Sequence, residues 1–317
     1  MSSSGVKIAY FGPRGTFTEQ AALALAGAVP GEPELVPAAT VPLTLAAVRG
    51  GAAVAGCVPV ENSVEGAVTA TMDALAVDEP LVAIAEAVLP VRFTVLVRPG
   101  LAAADVRTVA SHPHAIAQVQ GWLATHLPAA EQVAATSTAG AAVAVVAGTF
   151  DAAVTAPVAA AHFPLDVLAE GVADVDDAAT RFLLLTRPGR LPAPTGADRT
   201  SIVVVAAAER TGVLAEMLTE LALRGINLTR IESRPQKGRL GEYRFYLDFD
   251  GHIGEERVGD ALAALHRRGQ QLRFLGSYPK AERALPAAVG ADPAGNTDAD
   301  YTAANAWLTN ARLGTLA

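Results

Sequence analysis

The sequence predicts a two-lobed α/β protein that is followed by a smaller α+β module. Short apolar strands alternate with helices between residues 6 and 168, which is typical of α/β units with mostly parallel sheets. A strand-like segment near 170–186 follows two such units, so we expect it to return to the first of them. Proline and glycine interrupt every regular pattern between 187 and 196, and a βαββαβ segment begins at residue 201.

Composition excludes several classes of protein. With 317 residues the chain is long enough for two or three domains, and its net charge of −8 without a basic run argues against nucleic-acid binding. The single cysteine, Cys57, excludes an internal disulfide and a Cys-rich metal site. No apolar stretch reaches membrane-spanning length and no secretory signal is visible. We therefore expect a cytoplasmic protein without membrane association.

The first lobe is predicted to cover about residues 1–84. A strand at 6–11 leads through a glycine-containing turn into a helix at 19–26, for which Thr18 is the expected N-cap. The turn lacks the Gly-Lys-Ser/Thr signature of a P-loop, which argues against a nucleotide site there. The lobe continues as a strand at 54–60, a helix near 67–76 and a strand at 81–88.

The second lobe is predicted to cover about residues 90–168. Pro113 fits the first turn of a helix that reaches residue 125, because proline has no N–H to leave unpaired there. Residues 136–138 cap a further helix that extends to 147. The predicted strands of this lobe are 91–97, 106–110, 132–135 and 152–156.

A hydroxyl or amide side chain stands where a strand gives way to a helix at four places in these lobes. These positions are Thr16 and Thr18, Asn62 and Ser63, Ser111, and Ser137 and Thr138. The carboxyl ends of parallel strands share one edge of a sheet, and helix N-termini at that edge bind anions. Each position alone is explained by routine N-capping. Together they predict a small polar anion as the ligand.

The returning segment carries Thr180, Arg181 and Phe182 at the start of an apolar run. A hydroxyl beside a guanidinium, where a loop enters a buried strand, suits the binding of an oxyanion. Most Thr–Arg pairs at strand starts, however, are only a β-forming residue beside a solvated charge. Two lobes joined in this way can close around a ligand by hinge motion.

The C-terminal module is predicted over 198–282. Its strands are 201–207, 227–234, 242–249 and 271–277, and its helices run from 211 to 224 and from 255 to 268. Residues 283–317 are rich in Ala, Gly, Asp and Thr, which predicts a flexible tail with a short helix around Trp307.

Six short motifs in series resemble those of the prephenate dehydratases. Five match the catalytic domain of that family: 12–19 (GPRGTFTE), 59–66 (PVENSVEG), 111–113 (SHP), 137–139 (STA) and 180–182 (TRF). The sixth, 232–235 (ESRP), resembles the phenylalanine-binding motif of the family's ACT regulatory domain, and 212–215 (GVLA) keeps part of a second effector motif. The resemblance spans about residues 6–280. Alanines stand at 178 and 179, where the family often has an Asn before the threonine.

This resemblance implies a periplasmic-binding-protein-like catalytic domain over 1–190, with residues 170–190 joining the first lobe, and an ACT domain over 198–282. It implies a carbon–oxygen lyase that converts prephenate to phenylpyruvate in L-phenylalanine biosynthesis, with no cofactor and no metal. Phenylalanine would act as the allosteric effector, and the protein would form a homodimer or homotetramer. No chorismate mutase module precedes residue 6, so the chain resembles the monofunctional form.

The resemblance also implies roles for individual residues. The expected catalytic residues are Thr180, Asn62, Ser111 and Gln118, with Thr180 relaying a proton or orienting the substrate. The expected substrate-binding residues are Glu61, Ser63, Thr16, Ser137, Thr138, Arg181 and Phe182. The expected effector-binding residues are Gly212, Val213, Leu214, Glu232, Ser233, Arg234 and Pro235. His112 and His114 are expected to be structural.

Two alternative functions remain open from the sequence. An arogenate dehydratase would perform the same chemistry on an aminated substrate. A non-enzymatic two-lobed sensor would bind a small molecule with the same architecture. The sequence leaves open the choice of substrate, dimer or tetramer, and which aromatic amino acids regulate the protein.

Overall fold

A computed structural model describes residues 5–175, 177–206, 210–236, 239–281 and 295–315 of the chain. The chain forms two compact units. The first unit contains the chain up to Ala74 together with Glu86–Arg187, and the second contains Leu75–Ala85 together with the chain from Pro188 onward.

The strands and helices are numbered in chain order. The strands are β1 (Lys7–Phe11), β2 (Glu34–Ala38), β3 (Ala55–Asn62), β4 (Gly66–Ala67), β5 (Val82–Pro90), β6 (Thr94–Val97), β7 (Thr108–Ser111), β8 (Glu131–Ala134), β9 (Ala152–Thr155), β10 (Asp166–Glu170), β11 (Ala179–Thr186), β12 (Asp198–Val205), β13 (Leu228–Gln236), β14 (Arg239–Asp250) and β15 (Gln271–Pro279). The helices are α1 (Phe17–Leu25), α2 (Val41–Arg49), α3 (Thr69–Ala76), α4 (Pro113–Ala117), α5 (Gln120–His126), α6 (Thr138–Val146), α7 (Val213–Ala222), α8 (Glu256–Arg267) and α9 (Asp298–Leu313).

Two mixed sheets build the lobes of the first unit. The first sheet has the order β2-β1-β3-β11-β5, with β4 added to the end of β3, and the second has the order β10-β6-β9-β7-β8. The pairs β1–β2, β1–β3, β7–β8 and β7–β9 are parallel, whereas β3–β11, β6–β9 and β6–β10 are antiparallel. The sheets are therefore less parallel than the strand–helix alternation predicts, because strands that connect the lobes enter each sheet in the opposite direction.

Strand β11 returns to the first lobe, as predicted for the segment near 170–186. It pairs with β3 so that Thr180 lies opposite Asn62, and the register shifts between Arg181 and Phe182. This bulge separates Thr180 and Arg181 from the apolar remainder of β11, in which Phe182 is 1% exposed. The pairing brings together two residues that are 118 positions apart in the chain.

Several predicted helices begin or end at other residues in the structure, and for two of them a contact explains the difference. Helix α1 begins at Phe17, two residues early, because the Thr16 side chain and not that of Thr18 caps it. The predicted helix that reaches residue 125 is divided into α4 and α5. Asp174 causes the division: its N–H donates to the Gln118 carbonyl at 2.7 Å, and its carboxylate accepts from the N–H of Gly121 at 2.9 Å.

The C-terminal module has the predicted βαββαβ order. Its sheet has the order β13-β14-β12-β15, and each of its paired neighbours is antiparallel. Helices α7 and α8 cover one face through a core that includes Ile202, Leu221, Phe249 and Leu265. This arrangement leaves β13 at one edge of the sheet.

The segment Leu75–Ala85 packs within the second unit. The Arg273 guanidinium on β15 donates to the carbonyls of Val77 at 2.8 Å and Asp78 at 2.7 Å. Gly276 approaches the same segment so closely that a Cβ there would lie 2.3 Å from the Ala83 carbonyl oxygen. Glycine is therefore the residue type that this contact requires.

The expected tail contains a longer helix than the sequence suggests. Helix α9 is 16 residues long and includes Trp307. A capping box between Thr297 and Asp300 starts it, and Asp298 accepts a hydrogen bond from the Glu256 N–H at 2.9 Å. The preceding part of the expected flexible tail, 283–294, lies outside the described residues. Among the helices that are described, none is long and apolar enough to cross a membrane.

Candidate active site

A cavity of about 1050 Å³ lies between the two lobes of the first unit. Its wall includes Phe11, Asn62 and Thr180 from the first lobe and Gln118 and Ser137 from the second. Phe17 and Phe93 also line it, and their rings meet edge to face at 5.6 Å between centroids. The cavity therefore offers aromatic surface beside a small number of polar groups, which suits a small polar ligand that carries a ring.

Three helices of eight or nine residues begin at this wall: α1, α3 and α6. Thr16, Thr69 and Thr138 are on the wall at their respective N-termini. Unpaired N–H groups and the positive end of the helix dipole make each N-terminus favourable for an anion. The titratable side chains on the described wall are Glu65, His112 and His114. Binding of a carboxylate there depends on N–H and hydroxyl donors rather than on a lysine or arginine from this wall.

Asn62 and Thr180 form a fixed pair at the first-lobe wall. The Asn62 side-chain nitrogen donates to Thr180 Oγ1 at 2.8 Å. The Asn62 side-chain oxygen accepts from the N–H groups of Val64 at 2.8 Å and Glu65 at 3.0 Å, so this network determines the orientation of the amide. Because Thr180 Oγ1 accepts from Asn62, its own hydrogen can point towards another group in the cavity.

Ser63 holds the chain just before Thr180. The Ser63 N–H donates to the Ala179 carbonyl, and the Ala179 N–H donates to Ser63 Oγ, both at 2.9 Å. The Ala178 carbonyl accepts from the Val91 N–H at 2.7 Å. Hydrogen bonds from the Val91 and Ser63 main chain and from the Ala179 N–H to Ser63 Oγ thus fix Ala178 and Ala179.

Gln118 presents an unused acceptor. Its side-chain nitrogen donates to the His114 carbonyl at 3.1 Å. Its side-chain oxygen is buried and has no hydrogen-bond partner among the described residues. Since Gln118 is on the cavity wall, a ligand donor would satisfy this oxygen.

His112 and His114 lie on the cavity wall, although the sequence suggested a structural role. His112 Nδ1 accepts from the His114 N–H at 3.3 Å, which leaves Nε2 as its donor. Burial lowers the pKa of His112, the neighbouring His114 lowers it further, and Glu65 opposes the shift. His112 is therefore a neutral hydrogen-bond donor near neutral pH. The sequence signal that could have placed both histidines at the wall is their position just after the end of a strand.

Five expected site residues lie outside the cavity wall: Ser63, Ser111, Glu61, Arg181 and Phe182. Ser111 is fully buried and donates to the Val154 carbonyl at 2.6 Å. Arg181 is 8% exposed, and its guanidinium lies 3.7 Å from the Glu61 carboxylate and 3.6 Å from that of Glu86. The six that do meet at the wall are Thr16, Asn62, Gln118, Ser137, Thr138 and Thr180.

The expected effector residues lie on two elements of the second unit. Gly212 has φ of +86° and precedes α7, which begins with Val213 and Leu214. Glu232, Ser233, Arg234 and Pro235 follow one another on the edge strand β13. Along this strand Glu232 and Arg234 are half-buried, whereas Ser233 and Pro235 are exposed. The side chains of the motif therefore alternate between the two faces of the sheet.

In the described part of the chain, no three His, Cys, Asp or Glu side chains cluster as metal ligands would. Cys57 is buried, and burial raises the pKa of its thiol, which is unfavourable for a nucleophile.

Comparison with known proteins identifies relatives of both units. The family model for prephenate dehydratase matches residues 8–190, and the ACT domain model matches residues 200–267. A prephenate dehydratase from Amycolatopsis methanolica is 61% identical over 309 residues, which are 97% of this chain and 98% of the relative.

Solved structures resemble most of the chain. The crystal structure of prephenate dehydratase from Arthrobacter aurescens in complex with L-Phe has a TM-score of 0.88 and 44% identity, and covers 96% of this chain and 99% of that one. GqqA, described as a novel type of quorum quenching acylase, has a TM-score of 0.74 and 31% identity, and covers 86% of this chain and 97% of that one. Since a family model spans more than half of the chain and a relative is 61% identical over nearly all of it, the chain belongs to the prephenate dehydratase family and has a C-terminal ACT domain.

Proposed function

We propose that this chain converts prephenate to phenylpyruvate, carbon dioxide and water. The observation that carries the proposal is the Asn62–Thr180 hydrogen bond at the wall of a cavity where three helix N-termini meet. Family membership supports this reaction, and the geometry of the wall supports the roles proposed below for individual residues. The protein is a lyase in this proposal.

The reaction requires one carbon–carbon and one carbon–oxygen bond to break at opposite ends of the ring. The electron pair of the bond to the ring carboxylate enters the ring as carbon dioxide leaves. The carbon–oxygen bond then breaks with its pair on oxygen, and one proton converts that oxygen to water. The ring becomes aromatic, which drives the reaction without an oxidant or reductant.

Thr180 is the proposed donor to the leaving oxygen. Because its Oγ1 accepts from Asn62, its hydrogen is available to the substrate, and the Asn62 hydrogen bond also strengthens it as a donor. A threonine hydroxyl is too weak an acid to supply the proton alone, so Thr180 acts as a relay or an orienting group. Such assistance typically accelerates a reaction by about 10²–10⁴-fold.

Gln118 is the proposed acceptor for the ring hydroxyl. With both carboxylates ionised, this hydroxyl is the one hydrogen-bond donor that prephenate carries. The unpartnered Gln118 oxygen at the wall therefore matches that group. The ammonium group of arogenate is a second possible match, so the test must include both substrates.

The substrate carboxylates are proposed to bind at Thr16, Ser137 and Thr138, close to the starts of α1 and α6. Uncharged donors hold a carboxylate without the strong stabilisation that would oppose loss of carbon dioxide. We propose that five residues support these groups from behind the wall, because they contact other groups of the protein: Ser63, Ser111, Glu61, Arg181 and Phe182.

Phenylalanine is the proposed effector of the ACT domain. The relative from Arthrobacter aurescens was solved in complex with L-Phe, which supports this assignment. The edge strand β13 carries the 232–235 motif, and an exposed edge can pair with a second copy of the chain. We therefore propose a homodimer or homotetramer that binds phenylalanine between its copies and loses activity on binding. A cytoplasmic location fits a biosynthetic enzyme of this kind.

The catalytic proposal is tested by incubating the purified chain with prephenate and with arogenate. We expect phenylpyruvate from prephenate, at a rate that EDTA does not change. Phenylalanine formed from arogenate at a higher kcat/KM would identify an arogenate dehydratase. Binding of either compound without turnover would instead identify the sensor.

The regulatory proposal is tested by calorimetry and kinetics on the full-length chain with millimolar phenylalanine. We expect heat of binding together with lower dehydratase activity, and sedimentation should give at least a dimer. Unchanged kinetics without binding heat would refute regulation by phenylalanine and leave the catalytic proposal intact.

A further inference from the structure

Glu19 is a buried carboxylate that no step of the reaction uses. It lies in the first turn of α1, directly behind the glycine loop, which we define as residues 12–16. Gly12, Pro13 and Thr16 of this loop line the cavity, whereas Glu19 does not. The Glu19 side chain is only 6% exposed. A buried carboxylate is costly unless protein groups bond to it, so Glu19 depends on its partners.

Within the first lobe, Glu19 holds the glycine loop in place. Glu19 Oε2 accepts from the Gly15 N–H at 2.6 Å, and Oε1 accepts from the Tyr10 hydroxyl at 3.3 Å. Burial raises the pKa of Tyr10, and the charge of Glu19 raises it further, so the hydroxyl remains a donor at neutral pH. The carboxylate therefore joins β1, the glycine loop and α1.

The same carboxylate also reaches the second lobe. Glu19 Oε2 lies 3.0 Å from Nε2 of His162, which directly follows the short helix Pro157–Ala161. Gly15 packs against this region, because a Cβ at Gly15 would lie 3.0 Å from Phe163 Cε2 and 3.2 Å from Ala159 Cβ. Its φ of +85° further favours glycine at this close approach. The two lobes are thus in direct contact behind the glycine loop.

A second Glu–His pair joins the same lobes at the cavity wall and provides a comparison. Glu65 Oε2 lies 3.4 Å from His114 Nδ1, with side chains that are 43% and 62% exposed. Exposed ion pairs contribute little, because water screens them and the side chains lose freedom. The Glu19–His162 pair is shorter and mostly withdrawn from water, so it is the stronger determinant of lobe position.

We propose that Glu19 and His162 form an interlobe pair that positions the glycine loop and holds the two lobes at the separation that binds the substrate. The proposal rests on the proposed dehydratase function for its kinetic consequences. Loss of the pair weakens substrate binding, since the N-terminus of α1 moves relative to the second-lobe wall. The chemical step is less affected, because Asn62 and Thr180 belong to the paired strands β3 and β11.

The test is a double-mutant cycle with Glu19→Gln, His162→Ala and the double variant. We expect each single change to raise KM for prephenate by about tenfold with kcat within about threefold of wild type, and the double variant to be no worse than either. His162→Gln, which can place an amide donor near the Glu19 carboxylate, should recover part of the loss. A parallel cycle on Glu65 and His114 should give a coupling of less than about threefold. Additive effects of Glu19→Gln and His162→Ala, or a fall in kcat with unchanged KM, would overturn the proposal.

Hydrogen–deuterium exchange separates this proposal from the proposed function. The His162 side chain is 29% exposed, so its removal disrupts packing less than a change at the buried Glu19 does. In His162→Ala we expect faster exchange in peptides that contain residues 12–16 and 157–163. This measurement does not require turnover. Exchange equal to wild type in those peptides would refute the interlobe pair, whereas a wild-type chain without turnover of prephenate would refute the function alone.

Discussion

The two walls of the cavity differ in how fully their polar groups are bonded. On the first-lobe wall, the Asn62 amide uses both its oxygen and its nitrogen within the protein, and it fixes Thr180. On the second-lobe wall, the Gln118 oxygen has no partner among the described residues. A group that is bonded in advance costs no reorganisation during the reaction, whereas an unsatisfied group gains a bond only when the substrate arrives. We therefore expect changes to Asn62 and Thr180 to lower kcat and changes to Gln118 to raise KM.

The largest expected effect is that of Thr180→Val, which keeps the shape of the side chain and removes its hydroxyl. We expect kcat to fall by about 10²-fold or more with KM within about threefold, because the donor to the leaving oxygen is lost. Steady-state kinetics with prephenate measure both constants. Thr180→Ser, which keeps the hydroxyl, should retain part of the activity, and wild-type turnover by Thr180→Val would make Thr180 a structural residue.

Asn62 offers a matched pair of variants that test the direction of the Thr180 hydrogen. Asn62→Ala removes the donor to Thr180 Oγ1 and should lower kcat by about tenfold. Asn62→Asp keeps the acceptor for Val64 and Glu65 but replaces the donor with an acceptor that captures the Thr180 hydrogen. We expect Asn62→Asp to have the lower kcat of the two. The reverse order, measured at saturating prephenate, would mean that Thr180 does not donate to the substrate.

Gln118→Leu examines the second wall. Removing the acceptor should raise KM by about tenfold while kcat changes by less than about threefold. The variant loses only one hydrogen bond within the protein, the exposed one to the His114 carbonyl, so it should unfold at a temperature close to that of wild type. A large fall in kcat at unchanged KM would place Gln118 with the first wall and contradict the comparison.

Ser111→Ala and Ser137→Ala should give the smallest kinetic effects. Comparing them distinguishes a hydroxyl that supports the wall, that of Ser111, from one that lines the cavity, that of Ser137. Each loses one hydrogen bond, to the Val154 carbonyl or from the Gly140 N–H, so each should lower the free energy of unfolding by about 1 kcal/mol. Only Ser137→Ala should raise KM, since Ser137 is on the cavity wall and Ser111 is fully buried. Urea denaturation and steady-state kinetics measure the two effects separately, and equal KM values would contradict the assignment.

Local sequence patterns predicted most of the fold. Strand–helix alternation identified the two lobes, and the pattern after residue 201 predicted the βαββαβ order that the structure confirms. The division between α4 and α5 was not predictable from the local pattern, because Asp174 causes it from more than fifty positions away in the chain. The start of α9 had a local signal in the Thr297–Asp300 capping box, although the surrounding composition suggested a flexible tail.

The sequence by itself indicated Thr16, Asn62 and Ser137, where strands give way to helices, and Thr180, where a loop enters a strand. The tertiary structure decided which of those side chains face the cavity. Strand pairing placed Thr180 opposite Asn62, whereas the packing of β7 beside β9 turned Ser111 towards Val154. The tertiary structure also brought His112, His114 and the unpartnered Gln118 oxygen to the cavity wall. The physical reason is that propensity and capping act over a few residues, whereas the direction of a side chain depends on strand register and on contacts between distant parts of the chain.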